Sequence, residues 1–188
     1  MFSLLLGFWE RLFARPHVHI LIIGLDHAGK STLLEKLKTD YTKKAGLAPE
    51  RITPTVGMNL AKISFDGAQV VFWDLGGQVK VRSIWERYYS EAHAVVFVID
   101  SADISRFEEA KLAHDAVVQH EYLANIPVVI FANKQDLPAA LSLSDVALNF
   151  ENANAPTKIF PISSITGEGV HDALAATIEV GRRRRVLS

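Results

Sequence analysis

Three groups of residues in this chain have the types and spacing to do chemistry. The first is Gly24-Leu25-Asp26-His27-Ala28-Gly29-Lys30-Ser31 with Thr32 behind it, which fits G-x-x-x-x-G-K-[ST]. Glycines there let backbone N–H groups turn inward without a Cβ clash. A helix start adds its positive end, and Lys30 supplies a point charge, so the segment suits a phosphate. By the same rule the Ser31 hydroxyl is a ligand for Mg²⁺. The second group is Asn133-Lys134-Gln135-Asp136. A carboxylate at Asp136 can accept from both guanine N1–H and the 2-amino group. Adenine lacks that amino group and would leave the buried charge unpaired, at a cost on the order of 2–5 kcal/mol. The third is Trp73-Asp74-Leu75-Gly76-Gly77-Gln78, an acid and an amide either side of a glycine pair, which points to hydrolysis linked to switching.

These groups need a scaffold that delivers them to one place. Apolar runs alternate with helical patterns, the signature of a parallel sheet covered on both faces. Strands are expected near Val18–Ile23, Leu60–Phe65, Val70–Asp74, Ala94–Ile99, Val128–Ala132 and Lys158–Ile162. Helices are expected at Gly29–Lys38, Val81–Tyr89, Arg106–His120, Ser144–Phe150 and Val170–Arg182. The turn signal Phe65-Asp66-Gly67-Ala68 makes the second and third strands an antiparallel pair. The phosphate-binding segment then follows the first strand and Asn133 follows the fifth, both at the carboxyl edge where such sheets bind ligands.

The combination of Gly24 to Ser31, Thr53-Pro54-Thr55-Val56-Gly57-Met58-Asn59, Trp73 to Gln78 and Asn133 to Asp136 resembles a small GTPase of the Arf/Arl family, over nearly the whole chain. Phe2, the longer lysine-bearing segment before Thr55 and the wording Phe72 to Gln78 point within it to the Arf-related branch. A helical domain of the heterotrimeric Gα kind is excluded, because only Asp40 to Ile52 is available for it. The resemblance implies a P-loop small-GTPase fold, a six-stranded mostly parallel sheet with helices on both faces. It also implies a slow enzyme that turns GTP to GDP and phosphate with Mg²⁺.

It assigns roles as well. Thr55 gives Mg²⁺ a second hydroxyl once the γ-phosphate is present, Asp74 orients the metal through a water, and Gly77 brings its N–H to the γ-phosphate. Gln78 positions the attacking water, and Ser163 and Ser164 close over the base, although alanine is commoner where Ser164 stands. Partners implied are an exchange factor, a GTPase-activating protein, effectors and an endomembrane surface, most of all the Golgi. The hairpin Leu60 to Asp74 is expected to slide in register when GTP replaces GDP. Met58 stands where the family usually has phenylalanine.

Some residues carry two readings. His27 either faces solvent or touches phosphate. Asp26 is a bulky acid near the γ-phosphate, consistent with slow turnover. Glu108-Glu109 reads as a solvated helix start, and the remaining histidines lack metal-ligand spacing. Phe2, Leu5, Leu6, Trp9, Leu12 and Phe13 recur at helical spacing until Pro16, so residues 1–15 form an amphipathic helix ahead of a GTPase domain at 16–188. That helix either docks permanently on the domain or inserts reversibly into membrane, each well-buried large apolar side chain contributing roughly 1.5–3 kcal/mol. Phe2 rules out N-myristoylation. Arg182 to Arg185 is an attraction to anionic lipid, a frayed helix end or, more distantly, a nuclear signal.

Composition bounds the rest. The chain has 188 residues, 49% of them hydrophobic, enough for one well-packed domain, expected to be a monomer. The formal charge of −1 provides no global field for nucleic acid. The absence of cysteine excludes disulfides, thiolate chemistry, prenylation and palmitoylation. No run is long enough to span a bilayer. Two other functions compete: a P-loop phosphotransferase, which would need an acceptor pocket, and a non-hydrolysing GTP-bound scaffold, against which Gln78 argues.

Overall fold

A computed structural model describes residues 17–42, 46–150 and 157–187, with side chains to 184. The amphipathic segment 1–15 lies outside the described residues. Strand β1 (His17–Ile23) is the centre of a six-stranded sheet of order β2-β3-β1-β4-β5-β6. Its neighbours β3 (Ala68–Leu75) and β4 (Ala94–Asp100) both run parallel to it. The chain moves to one side of β1 first and the other side next, so the loop after β1 sits at the reversal of strand order, where a crevice opens. β5 (Val128–Asn133) and β6 (Lys158–Pro161) extend the parallel half.

β2 (Met58–Phe65) is the antiparallel edge, in register from Met58 opposite Leu75 to Phe65 opposite Ala68. Asp66 and Gly67 between them both have positive φ, 43° and 75°. That is the type I′ turn whose twist matches the strands. β2 alternates exposed and buried side chains as an edge strand must, whereas β1 and β4 are buried on both faces and therefore read as unbroken apolar runs.

Helices α1 (Lys30–Tyr41) and α5 (Val170–Leu187) cover one face, burying Leu33, Leu34, Leu37, Leu174 and Ile178 against Val18, Ile20 and Ile22. The short α2 (Glu86–Tyr89), α3 (Phe107–Val118) and α4 (Leu143–Phe150) cover the other, over Leu21, Ile23, Phe97 and Ile130. No helix among the described residues is long and apolar enough to cross a membrane.

Two expectations need correction. The helix expected over Val81–Tyr89 is instead a 3₁₀ segment, Val79–Ile84, followed by one α-turn. The Trp85 indole donates to the Gly76 carbonyl at 2.9 Å and Arg82 Nε donates to the Gly77 carbonyl at 2.8 Å, drawing the segment back onto its own start. β-Branched Val79, Val81 and Ile84 lower the competing α preference. The last helix also continues past Arg182. Its arginines sit at the negative end of the helix dipole, Arg183 pairs with Glu179 one turn back, and Arg182 donates to the Asp66 carbonyl at 3.0 Å.

Candidate functional site

The loop from Gly24 to Gly29 is shaped by what its backbone must approach. Gly24 has φ 138°, and a Cβ there would fall 2.2 Å from the Val98 carbonyl oxygen. Gly29 has φ 93°, and a Cβ there would fall 2.2 Å from Asn133 Nδ2. Gly29 caps α1 with no side-chain hydrogen bond, and the first turn holds no acid. The helix therefore presents uncapped N–H groups and its positive end to a cleft of about 270 Å³.

Of the residues in the motifs singled out in the sequence, Asp26, His27, Gly29, Lys30, Ser31, Thr32, Thr53, Pro54, Thr55, Gly76, Gly77, Gln78 and Lys134 line that cleft. Lys30 is buried and donates to the Leu25 carbonyl at 2.7 Å. Burial pushes its pKa down to about 8, with Asp74 and Asp26 opposing the shift. His27 adopts φ 64° and points its ring into solvent, 3.6 Å from the Asp26 carboxylate. The Asp26 carboxylate is itself paired with Arg106 at 2.7 Å.

Under the cleft three oxygens converge. Ser31 Oγ donates to Asp74 Oδ2 at 2.6 Å and lies 2.8 Å from Thr55 Oγ1, which donates to Asp74 Oδ2 at 3.3 Å. Asp74 is wholly buried, and its Oδ1 has no partner. Burial raises its pKa, against the Ser31 hydrogen bond and the Lys30 charge. Two hydroxyls beside a buried carboxylate with an orphaned oxygen form a hard, all-oxygen donor set, which fits Mg²⁺. Gly77 completes the wall. A Cβ on it would stand 2.3 Å from Asp26 N, so the two backbones touch.

The Asn133 group forms a second layer. Asn133 Nδ2 donates to the Ala28 carbonyl at 2.8 Å, and its Oδ1 accepts from the Ser164 N–H and hydroxyl, both at 2.9 Å. Asn133, Ser163 and Ser164 are buried beneath the cleft rather than lining it. Lys134, at φ 68°, lines the cleft while its ammonium reaches Asp100 at 2.5 Å. Asp136 is exposed and outside the lining, so its carboxylate is not the buried charge that the sequence implies.

Sequence reading missed Asp100, Arg82 and Arg106. Glu109 stands in the first turn of α3, as the sequence implies, and in addition accepts from both arginines, at 2.5 and 3.0 Å. Helical periodicity puts Glu109 on an outward face, and only the tertiary fold brings Arg82 to it.

The chain is similar to known proteins over nearly its whole length. The profile of the ADP-ribosylation factor family matches residues 5–180. ADP-ribosylation factor-related protein 1 of Homo sapiens is 39% identical over 180 residues, covering 93% of this chain and 90% of its own. ADP-ribosylation factor-like protein 3 of Saccharomyces cerevisiae is 41% identical over the same shares. The Arl6 small GTPase of Trypanosoma brucei, solved with the bound nucleotide analogue GppNp, superposes with a TM-score of 0.78 at 28% identity, over 89% of this chain and 99% of that one. With the phosphate loop, the glycine-gated wall and the Asn133 layer in place, the chain belongs to the ADP-ribosylation factor family of small GTPases.

Proposed function

We propose that this GTPase is a molecular switch in endomembrane traffic, at the cytosolic face of the Golgi, whose GTP form recruits effectors and membrane and whose hydrolysis ends the signal. One observation carries the switch: two loops far apart in sequence meet on the phosphate loop, Thr55 through Ser31 at 2.8 Å and Gly77 through backbone contact with Leu25 and Asp26. Both are loops that a third phosphate would reach.

In this reading Ser31 and Thr55 hold Mg²⁺, which when bound neutralises charge developing on the transferred phosphoryl group. Lys30 and the uncapped start of α1 bind the phosphates. Gln78, exposed at the cleft mouth, orients the attacking water, and Asp136 reads the guanine edge. A non-hydrolysing scaffold is the weaker alternative, since it would leave an amide at the cleft without a task.

The membrane part rests on Phe2, Leu5, Leu6, Trp9, Leu12 and Phe13, and the Golgi part on resemblance to the Arf-related branch. GTP would slide the β2–β3 hairpin, draw Thr55 and Gly77 onto the γ-phosphate and release residues 1–15 to the membrane. Liposome flotation tests this with GDP and with a non-hydrolysable GTP analogue, for the full chain and a version starting at Arg15. Flotation of the full chain with the analogue alone is expected. Nucleotide-independent flotation defeats the coupling, and equal flotation of the shortened chain defeats the helix as anchor.

A further inference from the structure

The start of α3 is wired to both loops of the cleft. Arg106, the residue before α3, donates through Nη1 to the Asp26 carbonyl at 3.0 Å and through Nη2 to Asp26 Oδ1 at 2.7 Å. Its Nε donates to Glu109 Oε2 at 3.0 Å. Glu109 Oε1 accepts from Arg82 Nη2 at 2.5 Å, and Arg82 Nε donates to the Gly77 carbonyl at 2.8 Å. The path from Asp26 through Arg106, Glu109 and Arg82 to Gly77 closes into a ring, because Gly77 rests directly on the backbone of Leu25 and Asp26.

Arg106 donates through three nitrogens of its planar fork and Arg82 through two, which fixes direction as well as distance. The four side chains are between 18% and 37% exposed, so this is a partly screened network and not an isolated surface pair. Burial pushes the Asp26 carboxyl up, yet the Arg106 hydrogen bond and charge outweigh it and hold the group below the usual carboxylate range. Glu109 is held low by Arg106 first and Arg82 second. Two anions and two cations thus balance in one network, of which Asp26 lines the cleft.

We propose, on the nucleotide reading of the cleft, that Arg106, Glu109 and Arg82 are positioning residues that set the preference for nucleoside triphosphate over diphosphate. They hold Gly77 on the phosphate loop and keep the Asp26 charge matched where a third phosphate enters. Loss of Arg106 leaves an unmatched carboxylate that repels the more highly charged ligand more strongly. Loss of Arg82 frees Gly77.

The test is equilibrium binding of GDP and of a non-hydrolysable GTP analogue, with Mg²⁺, to the full chain and to Arg106→Gln, Arg82→Gln and Asp26→Asn/Arg106→Gln. Analogue affinity should fall roughly tenfold in each single variant, the scale of one charge-assisted hydrogen bond, with GDP affinity held within about twofold. The double variant should recover most of the Arg106→Gln loss. Equal losses for both nucleotides, or no recovery on adding Asp26→Asn, would make Arg106 a support of the fold alone and overturn the proposal. If Arg106→Gln does not fold, Arg82→Gln decides: an unchanged ratio of the two affinities overturns it. A wild-type chain that binds neither nucleotide removes the reading beneath the proposal, and the proposal with it.

Discussion

Asn133 Nδ2 donates to the Ala28 carbonyl at 2.8 Å, tying two loops 105 residues apart into one unit. The opposite atom of the same amide accepts two hydrogen bonds from Ser164, so its orientation is fixed and all three loops share one anchor. Asn133→Ala would leave the Ala28 carbonyl and both Ser164 donors buried without partners, each costing about 1–3 kcal/mol. Melting temperature should drop, and GDP and a GTP analogue should be released faster by similar factors, since the anchor serves the whole cradle. Stopped-flow release of fluorescent nucleotides measures this. Acceleration confined to one nucleotide would contradict it.

The parts of this site that were legible in the sequence are those whose chemistry is local. Gly24 to Ser31 is recognisable because a strand, a left-handed glycine and a helix start must follow one another in a few residues, and the type I′ turn at Asp66-Gly67 because positive φ favours such residues. What escaped was non-local. Arg106 and Glu109 carry no mark beyond their place at a helix start. The 3₁₀ path after Gln78 depends on Arg82 and Trp85 bonding to the carbonyls of Gly77 and Gly76, which no periodicity encodes. The extension of α5 past Arg182 rests in part on a contact with Asp66, which lies 116 residues away in the chain.

On the guanine reading, the exposed carboxylate of Asp136 meets the base edge. Asp136→Asn should weaken GTP binding by about a hundredfold or more and turn preference to xanthine nucleotides, whose C2 carbonyl accepts from the new amide. Competition of GTP and XTP for the variant gives the ratio. Unchanged GTP affinity would remove Asp136 from guanine recognition.

His114 is fully buried, with neither ring nitrogen hydrogen-bonded. It packs between Phe97 of β4 and Phe150 of α4 at 5.3 and 5.6 Å, with Lys111 and Asp115 of its own helix nearby and Asp115 Oδ1 3.6 Å away, beyond bonding distance. Burial lowers its pKa from the ordinary 6.5, with Asp115 opposing. Below that ordinary value the unfolded chain binds a proton that the folded one refuses. The contribution of this residue is therefore intact above pH 6.5 and lost as pH falls, by at most about 1.4 kcal/mol per pH unit. Urea midpoints of GDP-bound protein near neutral pH and one unit or more below pH 6.5 should separate further for wild type than for His114→Leu. Equal separation would assign the acid sensitivity elsewhere.

Gln78 and Gly77 stand side by side at the cleft, and their substitutions should fail differently. Gln78 is exposed and extended, with φ −63° and ψ 142°, and its amide anchors no other element. Gln78→Leu should leave the phosphate cradle intact, keep affinity for both nucleotides, and lose the stimulated hydrolysis that an activating protein raises by roughly 10³–10⁵. Gly77 has no such freedom, because a Cβ would stand within 2.4 Å of Asp26 N, Leu25 C and the Gly24 carbonyl oxygen, all backbone atoms that cannot swing aside. Gly77→Ala must lift the segment off the phosphate loop. It should cost triphosphate affinity and hydrolysis together while GDP binding holds. Single-turnover hydrolysis and analogue binding, measured on both variants, separate the two positions. A Gly77→Ala protein that binds the GTP analogue as wild type does would show that backbone contact between Gly77 and the loop has no part in sensing the third phosphate.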